Sequence, residues 1–312
     1  MSHETSYHFT VGTFECIVIK DGAFAYPRPA QYFFANAPQK RLDQVLREHN
    51  LDPEQWQEYV SPYPCLLINT GKHRILVDTG AGDIAPTTGN LIPNLRAEGI
   101  TPDDIDIVLL THGHPDHIGG NVDSEGKPAF SNAMYMMWKE EWDLWMNEPD
   151  VSSMQVDDHI KQHIITDAHT NLSSIKDQLK LLEEDMEIVA GVHVIAVPGH
   201  TPGHMAVAVS SGEDYLLCLS DTAIHPIHLE QPDWHPEVDL VPEQALISRR
   251  QLLDWAVTEN ALVHLFHFPW PGLGHVVQKG DTWQWQPIYD AWSLSPEIFQ
   301  SPLDNMPCSK MS

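Results

Sequence analysis

Four side chains able to ligate a metal fall within six positions, His112-Gly113-His114-Pro115-Asp116-His117. Imidazole and carboxylate donors together suit Zn2+, Mn2+, Fe2+ or Co2+. Alternate residues of an extended backbone face the same side, so His112 and His114 can hold one ion. Pro115 then turns the chain, which lets Asp116 and His117 face a second position. Further donors stand in later segments: His200 in PGHTPGH, Asp221 in LSDT and His267 in HFPWPGLGH. A pair of ions sharing a water acidifies it from a pKa of about 15.7 toward 7, so hydroxide becomes available to attack an ester, lactone, amide or phosphotriester centre. No Ser or Cys nucleophile is then needed, and no G-x-S-x-G elbow is present.

These donors need strands to carry them. The run IDIVLLTH (105–112) is nearly all apolar, as expected of a strand buried on both faces of a layered α/β fold. HVIAVPGH (193–200), DYLLCLSDT (214–222) and ALVHLFHFP (261–269) repeat the pattern of an apolar strand running into polar residues. Sites built at strand ends are usual in such folds. Residues 65–79 predict a hairpin around Gly71-Lys72. Residues 9–25 read as two short strands around Lys20-Asp21-Gly22. Asp52-Pro53 predicts a short helix reaching Trp56, and Thr101 to Asp104 a second. Residues 137–147, one or two stretches within 153–184, and Pro242 to about Glu259 read as helices. The segment 26–41, with three prolines among Tyr32, Phe33 and Phe34, reads as a loop or flap with apolar anchors. No linker divides the chain, so residues 1–312 are expected to form one domain with an extension at about 26–41 and a tail at about 276–312.

The 312 residues hold 17 Lys+Arg against 44 Asp+Glu, a formal charge of −27. That balance argues against nucleic acid or anionic membrane as a partner. It leaves a small uncharged substrate open. No apolar run reaches the length of a membrane helix. Four scattered cysteines form no CxxC pair, and MSHETSYHFT resembles no secretory signal. The expectation is a cytoplasmic protein with buried thiols.

The string HxHxDH at 112–117, with His200, Asp221 and His267, resembles the metallo-β-lactamase superfamily over roughly residues 10–275. Asp78 in LVDTGAG resembles that family's supporting aspartate. The resemblance implies an αββα sandwich of two similar halves with the site at one edge. It implies that His112, His114 and His200 hold one ion, that Asp116, His117 and His267 hold the other, and that Asp221 bridges both. Asp116 and Asp221 are then the catalytic carboxylates, and the ions two divalent metals, Zn2+ foremost, with Mn2+, Co2+ or Fe2+ as substitutes. His204 is expected to support the His200 loop by hydrogen bonding, and His275 to be structural.

The segments HFPWPGLGH, PGHTPGH and EEWDLW (140–145) resemble the methyl parathion hydrolase and N-acyl-homoserine lactonase-like branch. That branch implies a quorum-quenching lactonase or hydrophobic esterase, with phosphotriesterase side activity, and a homodimer in contact through 26–41. Its aromatic-walled pocket has candidates here in Phe24, Tyr26, Phe33, Trp138, Trp142, Trp145, Phe268 and Trp270. Trp145 follows the flap-like helix and Trp270 follows a ligand, which points to these two first. The tyrosine that such lactonases keep near the metals has only Tyr135 and Tyr215 as candidates, neither well placed. A methyl parathion hydrolase-type organophosphate hydrolase and a glyoxalase II-like thioesterase are the alternatives. The second would want basic residues near the C-terminus, where 276–312 offers only Lys279 and Lys310.

Overall fold

Alternation along the strands decides which core each side chain enters. In the computed structural model, residues 5–288 are described. The first sheet runs in chain order through β1 (Ser6–Val11), β2 (Phe14–Pro27), β3 (Glu58–Asn69), β4 (Arg74–Val77), β5 (Ile107–Leu109), β6 (Met134–Trp138) and β7 (Leu179–Leu182). The second runs through β8 (Met186–Val189), β9 (Val192–Ala196), β10 (Met205–Ser211), β11 (Asp214–Cys218), β12 (Leu262–His264), β13 (Leu273–Lys279) and β14 (Thr282–Pro287). Pairing is antiparallel except between β4, β5, β6 and β7 and between β11 and β12. Val18, Leu66, Ile68, Ile75 and Val77 of the first sheet meet Val194, Met205, Val207 and Leu216 of the second in one buried layer. Their neighbours Ile19, Cys65, Leu67 and Leu76 face the other way. Strands with apolar groups on both faces must be covered on both.

The helices supply that cover. They are α1 (Pro29–Phe33), α2 (Gln39–Glu48), α3 (Leu91–Ala97), α4 (Pro115–Ile118), α5 (Lys139–Met146), α6 (Asp158–Ile175), α7 (Ile227–Glu230) and α8 (Pro242–Thr258). Leu42, Leu46, Leu95 and Leu172 close the outer face of the first sheet. Leu252, Leu253 and Ala256 of α8 close the second. The order is helix, sheet, sheet, helix, the expected αββα sandwich.

Several local expectations are corrected. The turn of the first hairpin lies at Gly12-Thr13, and Asp21 with Gly22 forms a bulge inside the long strand β2. Asp52 starts a turn rather than a helix, its Oδ1 accepting from the Glu54 amide at 3.0 Å. The stretch 153–184 holds one long helix, and Leu179 and Leu182 belong to β7. The segment 26–41 is not a loop throughout. It contains the end of β2, all of α1 and the start of α2, and Phe33 and Phe34 are buried within their own chain. Residues 276–287 are β13 and β14 rather than tail, because Val276, Trp283 and Trp285 pack in the α8 layer. The remainder of that expected tail, 289–312, lies outside the described residues, as does Cys308. Cys16, Cys65 and Cys218 are free and buried. Among the described residues no helix is long and apolar enough to cross a membrane.

Candidate metal centre

Every predicted donor follows the C-terminal end of a strand. β5 delivers His112 and His114, α4 carries Asp116 and His117, β9 leads to His200, β11 to Asp221 and β12 to His267. The structure brings all seven together. Three groups have donor atoms within 4.8 Å of one another: His112, His114 and His200; His112, His117 and Asp221; Asp116, His117 and His267. Asp221 lies between them. Its Oδ2 is 3.3 Å from His200 Nε2, 3.1 Å from His267 Nε2 and 3.9 Å from His112 Nε2, and its Oδ1 is 3.3 Å from His117 Nε2. Asp116 Oδ2 is 3.4 Å from His267 Nε2.

The second ring nitrogens of His112, His117, His200 and His267 are tied down behind this cluster. His117 Nδ1 bonds Asp78 Oδ2 at 2.8 Å, and His200 Nδ1 bonds Asp239 Oδ1 at 2.7 Å. His267 Nδ1 bonds Ser61 Oγ at 3.0 Å. Thr111 donates its hydroxyl to Asp78 Oδ2 at 2.9 Å, so its oxygen accepts from His112 Nδ1 at 3.1 Å. Each bond fixes a ring and turns the Nε2 lone pair inward, the usual arrangement behind metal-bound imidazole. His114 instead presents Nδ1, 3.0 Å from His200 Nε2. Asp78 and Ser220 hold left-handed backbone (φ 59° and 44°), strain of about 1–3 kcal/mol each kept beside a functional cluster.

His112 Nε2, His117 Nε2 and Asp221 Oδ1 are buried without a hydrogen-bond partner. Buried polar atoms normally have one. Six donors around a shared carboxylate, with lone pairs aimed at common points, fit two divalent ions. Burial, then the neighbouring imidazoles, hold His112 and His114 well below the ordinary histidine pKa, so both are neutral and ready to ligate. Burial opposes charge on His117 too, but Asp221, Asp78 and Asp116 outweigh it and raise its pKa. Asp221 is held well below the carboxylate range, since His267 and His117 outweigh the cost of burial.

Two residues support the ligand loops without joining a donor group. His204, kept neutral by burial down to about pH 3, accepts the Asp221 amide on Nε2 at 3.3 Å. Glu141 of α5 is fully buried. Its Oε1 accepts from the Gly113 amide (2.7 Å) and Trp145 Nε1 (2.6 Å), and its Oε2 from Thr201 Oγ1 (2.6 Å) and the Gly203 amide (3.1 Å). It therefore clasps the loop of His112 and His114 to the loop of His200. Gly113 is required by this packing, because a Cβ there would lie 2.4 Å from the Trp145 ring. His275 bonds the Ala261 carbonyl, away from the cluster.

Above the donors opens a cavity of about 180 Å3, floored by His114, Asp116, Asp221 and His267. Phe24, Tyr26, Tyr32, Phe33 and Tyr63 line one side, and Ile84, Ile160, Ile164, Ile224 and Val238 the other. Of the aromatic wall expected from sequence, Phe24, Tyr26 and Phe33 are there. Trp145 is not: it lies 1% exposed beneath the His114 loop, held by Glu141. Trp270 packs between the sheets under Lys20, and Phe268 packs on Trp285 in the α8 layer. Trp138 also belongs between the sheets, and Trp142 packs against the outer layer of the first sheet.

Sequence reasoning passed over Tyr63 and misplaced the active-site tyrosine. Tyr215 is exposed on β11 and Tyr135 is buried in β6. The tyrosine beside the donors is Tyr26, whose hydroxyl donates to Asp116 Oδ2 at 3.3 Å while the Tyr63 hydroxyl lies 2.9 Å from it. The period-2 spacing of Phe24 and Tyr26, and of Tyr59, Ser61 and Tyr63, was the available signal.

A family model described as the metallo-beta-lactamase superfamily matches residues 59–281. The chain is 26% identical over 227 residues to the N-acyl homoserine lactonase AiiA of Bacillus thuringiensis subsp. kurstaki, covering 66% of this chain and 81% of that protein. It is similar to the solved structure of AidC, described as a dizinc quorum-quenching lactonase in complex with a product N-hexnoyl-L-homoserine. The TM-score is 0.84 at 28% identity, over 91% of this chain and 97% of that one. The structure of the hydrolase AbOPH, described as in the beta lactamase superfamily, gives 0.81 at 24% identity over 93% and 99%, a likeness of fold.

Proposed function

The chain belongs to the metallo-beta-lactamase superfamily and is a metal-dependent hydrolase, and from that premise we propose that it opens lactones bearing hydrophobic acyl groups, N-acyl-homoserine lactones among them. The observation that carries the reading is Asp221, set between imidazole groups at the floor of a cavity otherwise walled by aromatic and aliphatic side chains. The kinship with lactonases supports the same substrate class. His112, His114 and His200 would hold one ion, Asp116, His117 and His267 the other, and Asp221 both. A donor set rich in imidazole favours Zn2+. Two such ions supply Lewis acidity and acidify water toward neutral pH.

The chain's own residues do the rest. The apolar walls strip water from the acyl chain and orient the ring over the donors. Burial, then the charges of Tyr63 and Asp116, keeps the Tyr26 phenol protonated far above its ordinary pKa. It already stands as a donor, its hydroxyl directed at Asp116 Oδ2. Its hydroxyl beside Asp116 is placed to give a proton to the alkoxide leaving as the ring opens. Tyr63, bonded behind it, fixes its orientation.

Acid release would be followed on short- and long-chain acyl-homoserine lactones, aryl esters, S-lactoylglutathione and methyl parathion, with metal-stripped enzyme as blank. The expected result is metal-dependent opening with the highest kcat/KM on a lactone, lost in a folded Asp221→Ala variant together with one metal equivalent. Turnover confined to the thioester or phosphotriester would overturn the substrate class and leave the metal site standing.

A further inference from the structure

A second grouping of imidazoles stands outside the cavity floor. α6 carries His159, Ile160, His163, Ile164 and Asp167 in successive turns. Residues four apart share a helix face. His159 and His163 are exposed, their Nε2 atoms 3.0 Å apart and their rings edge to face at 4.3 Å. Two nitrogens each about 2.1 Å from one ion lie about 3.0 Å apart when they meet it at a right angle, and about 3.4 Å apart at the tetrahedral angle. The observed spacing matches neighbouring positions of a square-planar or octahedral ion, the geometry favoured by Cu2+ and Ni2+. Paired histidines four apart are also the spacing by which a helix grips a divalent ion.

The surroundings favour a cation. Asp167, four residues on from His163, shares its helix face, and Asp83 of the loop after β4 lies near it. Lys161, the cation nearest in sequence, is engaged with Asp158 at 3.7 Å. Ile160 and Ile164 of the same helix, and Ile84 beside Asp83, line the cavity. The pair therefore flanks the rim of the substrate cavity.

We propose that His159 and His163 form an external site for a divalent transition-metal ion, Cu2+ or Ni2+ ahead of Zn2+, separate from the ions at the cavity floor. Water completes the coordination, and Asp167 adds opposite charge nearby. An ion held there brings positive charge to the rim of a chain whose formal charge is −27.

The test is calorimetric titration of tag-free enzyme, with its resident metals in place, against Ni2+. One additional equivalent is expected to bind, and His159→Ala or His163→Ala to abolish it. Both positions are exposed, and alanine preserves the helix. Resident metal content and turnover without added Ni2+ should match the parent in both variants. The proposal is overturned if no additional equivalent binds, the 3.0 Å contact then being a hydrogen bond between neutral rings. It is equally overturned if the additional equivalent persists undiminished in both variants.

Discussion

Tyr26 lies 90 residues upstream of Asp116, so its place beside that carboxylate rests on strand register and not on any motif. β2 and β3 pair Phe24 with Ser61 and Tyr26 with Tyr59, and the bulge at Asp21 sets Gly22 against Tyr63. That register brings two hydroxyls and the Ser61 support of His267 to one place. Removing the Tyr26 hydroxyl as Tyr26→Phe leaves the ring packed and deletes the proton donor. We expect kcat on an aliphatic lactone to fall about 100-fold, the low end for a lost general acid. An aryl ester, whose phenolate leaves unaided, should be little affected. Steady-state kinetics on the two substrates decides it, and an equal loss on both rules out the donor role. The seven donors were legible in sequence because six adjacent positions hold four of them. Tyr26 was legible as a wall residue but not as the partner of Asp116, and Tyr63 not at all, because nothing local ties residues 26 and 63 to residue 116.

At the scale of elements, α5 does work that its sequence conceals. EEWDLW reads as part of a helix over 137–147, and Trp145 as a residue of the pocket wall. The structure turns Glu141 and Trp145 inward, where the carboxylate satisfies four donors on two loops and on Trp145 itself. Burial raises the Glu141 pKa, opposed by bonds from Thr201, Trp145, Gly113 and Gly203. Glutamine is nearly the same size but offers one oxygen, so its amide group must face two of those donors. Glu141→Gln should therefore leave buried donors unpaired at a cost of about 1–3 kcal/mol. It should also loosen the ion held by His112, His114 and His200 in preference to the other. Thermal denaturation and metal content per chain read the two effects, and full occupancy at an unchanged Tm would remove the clasp. Strand assignments fared better than helix faces because two-sided burial forces long apolar runs, whereas an inward glutamate has no signature until its partners are known. Short proline-rich stretches misled for a related reason. Pro27 and Pro29 flank the start of α1 and do not prevent it, since proline suits the first turn of a helix.

For the molecule as a whole, the donors come from both halves: His112 to His117 follow the first sheet, and His200, Asp221 and His267 the second. Ions that bind the folded chain alone stabilise it, by about 4 kcal/mol when present at 1,000 times their Kd. Their removal by a chelator should lower Tm by on the order of 10 °C. Calorimetry with and without chelator measures this, and an unchanged Tm would mean that the halves hold together without them. The layered architecture was legible because the same alternation recurs in both sheets. The placement of 26–41 was not, because three prolines masked a stretch whose phenylalanines belong to the core. That stretch also sets apart two tasks along the chain. The aromatic side of the cavity is written between residues 24 and 63, upstream of every ligand, and meets the metal centre through the hydrogen bonds of Tyr26 and Ser61 and the edge contacts of Tyr26 and Tyr63 with His267. Substitutions at Phe24 or Phe33 can therefore change what the enzyme admits while the donors, and Tyr26 and Ser61 with them, stay as they are.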